Sequence, residues 1–128
     1  MKITYSSSGR IIEDGRKCHI LPYDEIQWIK SEDNYCMLYT KSAHILVRQS
    51  LNDFQAHLKP LFFRCHRTII VNILFIDIYD KKTKTIHLKT GVILPVARAL
   101  HKTFLKRLYD LPEFGIKFTD VAQLHDCC

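Results

Sequence analysis

Apolar positions in this chain come in short bursts separated by polar punctuation, and the period of each burst predicts its element. EIQWIK, 25–30, alternates Ile26 and Trp28 with Gln27 and then breaks at Ile29, a short half-buried strand. SEDN is a polar loop. YCMLYT, 35–40, and HILVR, 44–48, are strand-like runs joined by the tight turn TKSA, which predicts a hairpin. Ser50 then offers a cap, with Asp53 three residues on, near the positive end of a helix dipole. Leu51, Phe54 and Leu58 share one helical face, and Pro60 stops the helix.

Beyond Pro60 the pattern returns to strands. IIVN, LFIDIYD, TIHLK and VILPV are short β-formers, with the lysine-rich DKKTK and the pair TG as turns between them. From Ala97 the period lengthens. Leu100, Phe104 and Leu108 fall on one helical face, and Leu111-Pro112 ends the run. Ahead of all this, residues 1–19 read as a linker-like lead-in with SSSG, although EDGRK suggests a turn between short strands. The tail, 111–128, is expected as a C-terminal extension holding at most a short strand or helix. The count is seven to nine short strands and two short helices, a mainly β domain of small sheets.

Bulk numbers narrow the class. At 128 residues the chain is one domain with a modest core. No apolar run approaches the ~18 residues that span a bilayer. The start, MKITYSSSGR, lacks a signal peptide's apolar centre, so a cytoplasmic protein without a membrane partner is expected. The five cysteines, 18, 36, 65, 127 and 128, form no CxxC, which disfavours a disulfide framework or zinc ribbon. Adjacent Cys65 and His66 point to opposite faces of a strand and cannot easily share one ion. HDCC at the C-terminus is the remaining cluster, and no metal or cofactor is expected.

Charge separates along the chain. The net charge is +6, yet from Lys59 to Arg107 eleven Lys or Arg face only Asp77 and Asp80, while the first 58 residues balance. Such a segment is an electrostatic footprint for a polyanion, or else the solvated charge of surface helix and hairpins. Catalytic motifs are missing: no G-x-S-x-G, no H-E-x-x-H, no glycine-rich phosphate loop. Cys65 has no assignable base, so no enzyme is expected. Arg64, His66 and Arg67 would lower its pKa if they lay near the sulfur, making a redox switch; a buried structural thiol is the alternative.

Nucleic acid fits the remaining side chains. Arg67 and Arg98 are of the kind that reads guanine O6 and N7 bidentately, and Asn34 can pair with adenine. Lys81, Lys82 and Lys84 suit phosphates. Tyr35 can stack, donate a hydrogen bond or pack.

As a set, four motifs resemble the LytTR family of bacterial DNA-binding domains: DEIQWIKSEDNYCMLYT (24–40), VRQSLNDFQAHL (47–58), FFRCHRTIIVN (62–72) and GVILPVAR (91–98). The resemblance covers about residues 20–108, in order. It implies a LytTR-like domain over 20–110: an elongated row of three small antiparallel sheets that inserts loops into successive major grooves. It also implies the output domain of a two-component response regulator. Matched by motif, the DNA-facing residues are Asn34, Tyr35, His66, Arg67 and Arg98, with His66 either a contact or a scaffold. Lys102, one turn after Arg98, adds a phosphate contact on its own spacing. The polar half of FFRCHRTIIVN becomes a loop presented to DNA, anchored by Phe62, Ile69 and Val71, with Asn72 bonding to backbone.

The expected partners are double-stranded DNA at direct-repeat promoter sites and a second copy on that DNA. A receiver domain or sensor kinase joins them if the chain is an excised output domain rather than a stand-alone regulator. Two readings from other classes stay open: a protein-interaction module using the basic face, and a single-stranded RNA binder whose aromatics stack on bases. One departure from the family pattern is Ala97, where serine is usual; losing that cap costs ~1 kcal/mol of helix stability.

Overall fold

The computed structural model describes residues 2–5, 9–58 and 60–110; the linker-like serines and the C-terminal tail lie outside them. Three antiparallel sheets and two helices make up the described chain. The first sheet is a meander of β1 (Lys2–Tyr5), β2 (Gly9–Asp14) and β3 (Lys17–Pro22). Gly15, at φ 62, turns β2 into β3 where a side chain would be strained. The expected lead-in is thus largely sheet, and residue 20 falls inside β3.

The central sheet has five strands in the order β6-β5-β4-β8-β7. They are β4 (Ile26–Glu32), β5 (Tyr35–Thr40), β6 (His44–Val47), β7 (Phe62–His66) and β8 (Ile69–Asn72). Between β6 and β7 runs α1 (Leu51–His57), capped where Ser50 Oγ accepts from the Asp53 amide at 3.1 Å. The third sheet, order β11-β10-β9, holds β9 (Ile76–Asp80), β10 (Thr85–Leu88) and β11 (Ile93–Pro95). After a 3-10 turn at Arg98–Leu100 comes α2 (His101–Tyr109). The eleven described strands exceed the expected seven to nine chiefly through the first sheet.

Both faces of the central sheet are covered, which explains why all four residues of β8 are buried. On one face Ile26, Ile29, Leu38 and Ile70 pack with Leu51 and Phe54 of α1, with Leu21 of β3 and with Tyr23 just after it. On the other, Phe63, Cys65, Ile69 and Val71 pack with Ile86, Leu88 and Leu94 of the third sheet and Phe104 of α2. A bulge between Ile26 and Trp28 resets the alternation, so Ile26 and Ile29 share a face. This is the break seen in EIQWIK. Fully buried Phe104 lies 5.1 Å from Phe63 and 4.8 Å from Tyr79, centroid to centroid, so truncating it to alanine should cost about 3–5 kcal/mol.

Asn72 joins two elements. Its Nδ2 donates to the Ile26 carbonyl at 2.9 Å and its Oδ1 accepts from the Leu74 amide at 2.9 Å. The last helix starts without a side-chain cap, as Ala97 leads one to expect; the Leu100 amide bonds back to the Ala97 carbonyl instead.

Candidate nucleic-acid interface

Strand register decides which reversals meet. β4 and β8 pair antiparallel, with Lys30 opposite Ile69, so the end of β4 lies beside the start of β8. The β4–β5 turn, Asp33–Asn34, and the β7–β8 turn, Arg67–Thr68, therefore occupy the same end of the central sheet. The Ser31 amide donates to the Thr68 carbonyl at 2.9 Å and ties the two together. Beyond β7, the Ala97 amide donates to the Cys65 carbonyl at 2.9 Å, which sets the turn that begins at Arg98 beside the C-terminal end of β7. Further out, the Val96 amide donates to the Lys84 carbonyl at 2.9 Å, bringing the lysine-rich β9–β10 turn to the same edge.

Asn34, Tyr35, His66, Arg67 and Arg98 are thus brought to one edge. Asn34, Tyr35, Arg67 and Arg98 are exposed, and His66 is half-buried. Lys102 is also exposed but sits in α2, a turn beyond the last of these backbone ties. Opposite Tyr35 the register brings a residue the motif reading passed over. Cys36 pairs with Val47, so exposed Arg48 follows at the same end. Only pairing across β5 and β6 shows this; along the chain Arg48 is simply a charge ahead of a helix cap.

The β7–β8 turn is tightly built. It is a correction to the expected loop: Phe62–His66 is strand, and only Arg67 and Thr68 turn. Cys65 is buried, which is why the chain cannot leave the sheet there. His66 Nδ1 meets Thr68 Oγ1 at 2.9 Å and accepts from the Thr68 amide at 3.3 Å. With Nδ1 accepting from an amide, the ring proton sits on Nε2. Arg64 reaches in from the strand: its guanidinium donates to the Arg67 carbonyl at 2.6 Å, to Gln55 Oε1 at 2.9 Å and to Asn52 Oδ1. Arg64 is therefore occupied in the fold. So is Arg107, whose Nη2 donates to the Pro60 carbonyl at 2.6 Å while its guanidinium lies 5.9 Å from the Phe63 ring centre.

The lysine turn is shaped by Asp80. Its Oδ1 accepts from the amides of Lys82 at 2.9 Å and Thr83 at 3.1 Å, and Lys84 takes a left-handed φ of 55. Backbone donation, from Thr83 above all, holds the Asp80 carboxyl below the usual aspartate range. Burial pushes the Cys65 thiol up to about 12, with its Sγ 3.9 Å from the Ile69 carbonyl. Neighbouring cations do not activate it; Cys65 is the structural thiol of the two readings. Among the described residues no three His, Cys, Asp or Glu converge to hold a metal ion.

The family model of the LytTr DNA-binding domain matches residues 16–109. An uncharacterized response regulatory protein of Vibrio cholerae serotype O1 is 35% identical over 100 residues, 70% of this chain and 37% of that protein. The chain thus spans little more than a third of that relative. A solved LytTr DNA-binding domain from Bacillus cereus superposes with a TM-score of 0.70 at 23% identity, covering 80% of this chain and 98% of the other. At that identity the likeness concerns the fold. With its antiparallel sheets and two helices, the chain belongs to the LytTr DNA-binding domain family, and it is a DNA-binding module rather than an enzyme.

Proposed function

We propose that the domain reads double-stranded DNA sequence-specifically, as the output part of a bacterial response regulator in the cytoplasm. The observation that carries this is the run of backbone hydrogen bonds along one edge: Val96 to Lys84, Ala97 to Cys65, Ser31 to Thr68. These bonds align reversals that are far apart in sequence. Arg67 and Arg98 present guanidinium forks for guanine, and Asn34 a carboxamide for adenine. Lys81, Lys82, Lys84 and Lys102 neutralise phosphates and release counterions. Arg48 extends the edge past Tyr35. His66 acts as a scaffold through Nδ1 and presents Nε2–H outward.

Single-stranded reading fits less well. A stacking platform needs several exposed rings. Phe54, Phe62, Phe63 and Phe104 are buried, and Trp28 stacks on Tyr39 at 3.9 Å. Tyr35 is the aromatic this edge exposes. A regulator context follows the Vibrio cholerae relative, with a receiver domain or sensor kinase as partner. Promoter sites carrying direct repeats, bound by two copies, complete the reading.

Selection of bound duplexes from a random pool tests it. Enrichment of one motif, repeated at helical spacing, is the expected result. Equal recovery of all duplexes, or preference for single strands, overturns it.

A further inference from the structure

Arg64 never reaches the exposed edge, yet it touches the turn that does. Its guanidinium spans three acceptors in two elements: Asn52 Oδ1 and Gln55 Oε1 on α1, and the main-chain carbonyl of Arg67 at 2.6 Å. Asn52 and Gln55 lie one helical turn apart on the exposed side of α1. A planar fork holds all three groups in one preset geometry; an ammonium on a flexible stem has three donors but no fixed spacing. β7 carries a bulge between Arg64 and His66, so the strand itself does not fix how the turn leaves it. The carbonyl that Arg64 grips belongs to the residue whose side chain is assigned to the base edge.

We propose that Arg64 is a positioning residue for DNA reading: it clamps the Arg67 peptide against α1 and so aims the Arg67 side chain, without touching DNA itself. This rests on the reading of Arg67 given above. A bidentate contact to one base is geometrically demanding, and small misplacements forfeit it. Phosphate contacts tolerate the same displacement, since they depend mostly on charge.

The clamp makes a separable prediction. Arg64→Lys keeps the positive charge and loses the fork. Its binding to the duplex recovered by selection should weaken about ten-fold, equivalent to ~1.4 kcal/mol. Binding to a random-sequence duplex should stay within about two-fold, with an unchanged salt slope. A repeat selection with Arg64→Lys should show relaxed preference at the base pair Arg67 specifies. In an Arg67→Ala background the same change should cost less than about two-fold, because contacting residues in one network are not additive. Thermal melting of each variant accompanies the cycle, and Arg64→Gln serves in place of Arg64→Lys should the latter not fold.

Equal losses from Arg64→Lys in both backgrounds overturn the positioning role alone. So does an equal loss on both duplexes with a salt slope reduced by about one, which is the mark of a direct phosphate contact. An Arg67→Ala chain that holds the selected duplex as tightly as wild type overturns the assignment of the turn, and this inference with it.

Discussion

Two tight turns lie side by side at one end of the central sheet, and they are built in opposite ways. The β7–β8 turn is braced from behind by Arg64 and from within by His66 and Thr68. The β4–β5 turn has no such brace among the described residues. Its nearby ion pair, Lys30 to Glu32 at 3.7 Å, is solvent-exposed and of the kind worth little, and Asp33 sits at a left-handed φ of 54. A braced turn suits a contact that tolerates one geometry. An unbraced turn suits one that adjusts on docking. The pair suggests a division of labour: Arg67 discriminates, and Asn34 with Tyr35 accommodates.

Substitutions at the two turns should separate those roles most strongly. Arg67→Ala should lose ~1–3 kcal/mol on the selected duplex and flatten preference at one base pair. Asn34→Ala should lose less and shift preference more diffusely. Fluorescence anisotropy on a panel of point-changed duplexes measures both; equal effects would erase the contrast. Arg48→Ala comes next. Lying beside the unbraced turn, it should weaken all duplexes about alike and lower the salt slope by about one. A titration at several salt concentrations reads that slope.

Thr68→Val probes the brace itself. Removing the hydroxyl from His66 should destabilise the fold by about 1 kcal/mol, seen as a melting point lower by a few degrees. The smallest effect concerns the lysine turn. Asp80 has a depressed pKa when folded, so its contribution is present above the ordinary aspartate range, about 3.9, and is lost as pH falls through the lower folded value. Amide shifts of Lys82 and Thr83 should hold steady down to about pH 4 and move only below it.

The elements that rest on local chemistry were legible in the chain. Ser50 and Pro60 bracket α1, and the break at Ile29 marks a real bulge. What escaped depended on partners distant in sequence. Polar Arg64 and His66 made β7 resemble a loop, because the acceptors that satisfy Arg64 lie on a helix upstream. The basic segment overstated the number of side chains free to reach a ligand, since Arg64 and Arg107 are held by carbonyls of the fold. Arg48 belongs to the VRQS motif, but its place opposite Tyr35 emerged only from the pairing of β5 and β6. Side-chain chemistry alone offered Asn34, Tyr35, Arg67 and Arg98; the family resemblance joined them into one set and added His66.

The three ties along the edge run from main-chain amide to main-chain carbonyl. None depends on what the outward side chains are. Residues 34, 67 and 98 can therefore be exchanged while the frame that presents them stays put, so vocabulary and grammar are separable here. A library randomised at those positions would be expected to stay folded and to yield new target preferences, much as type is reset in an unchanged press.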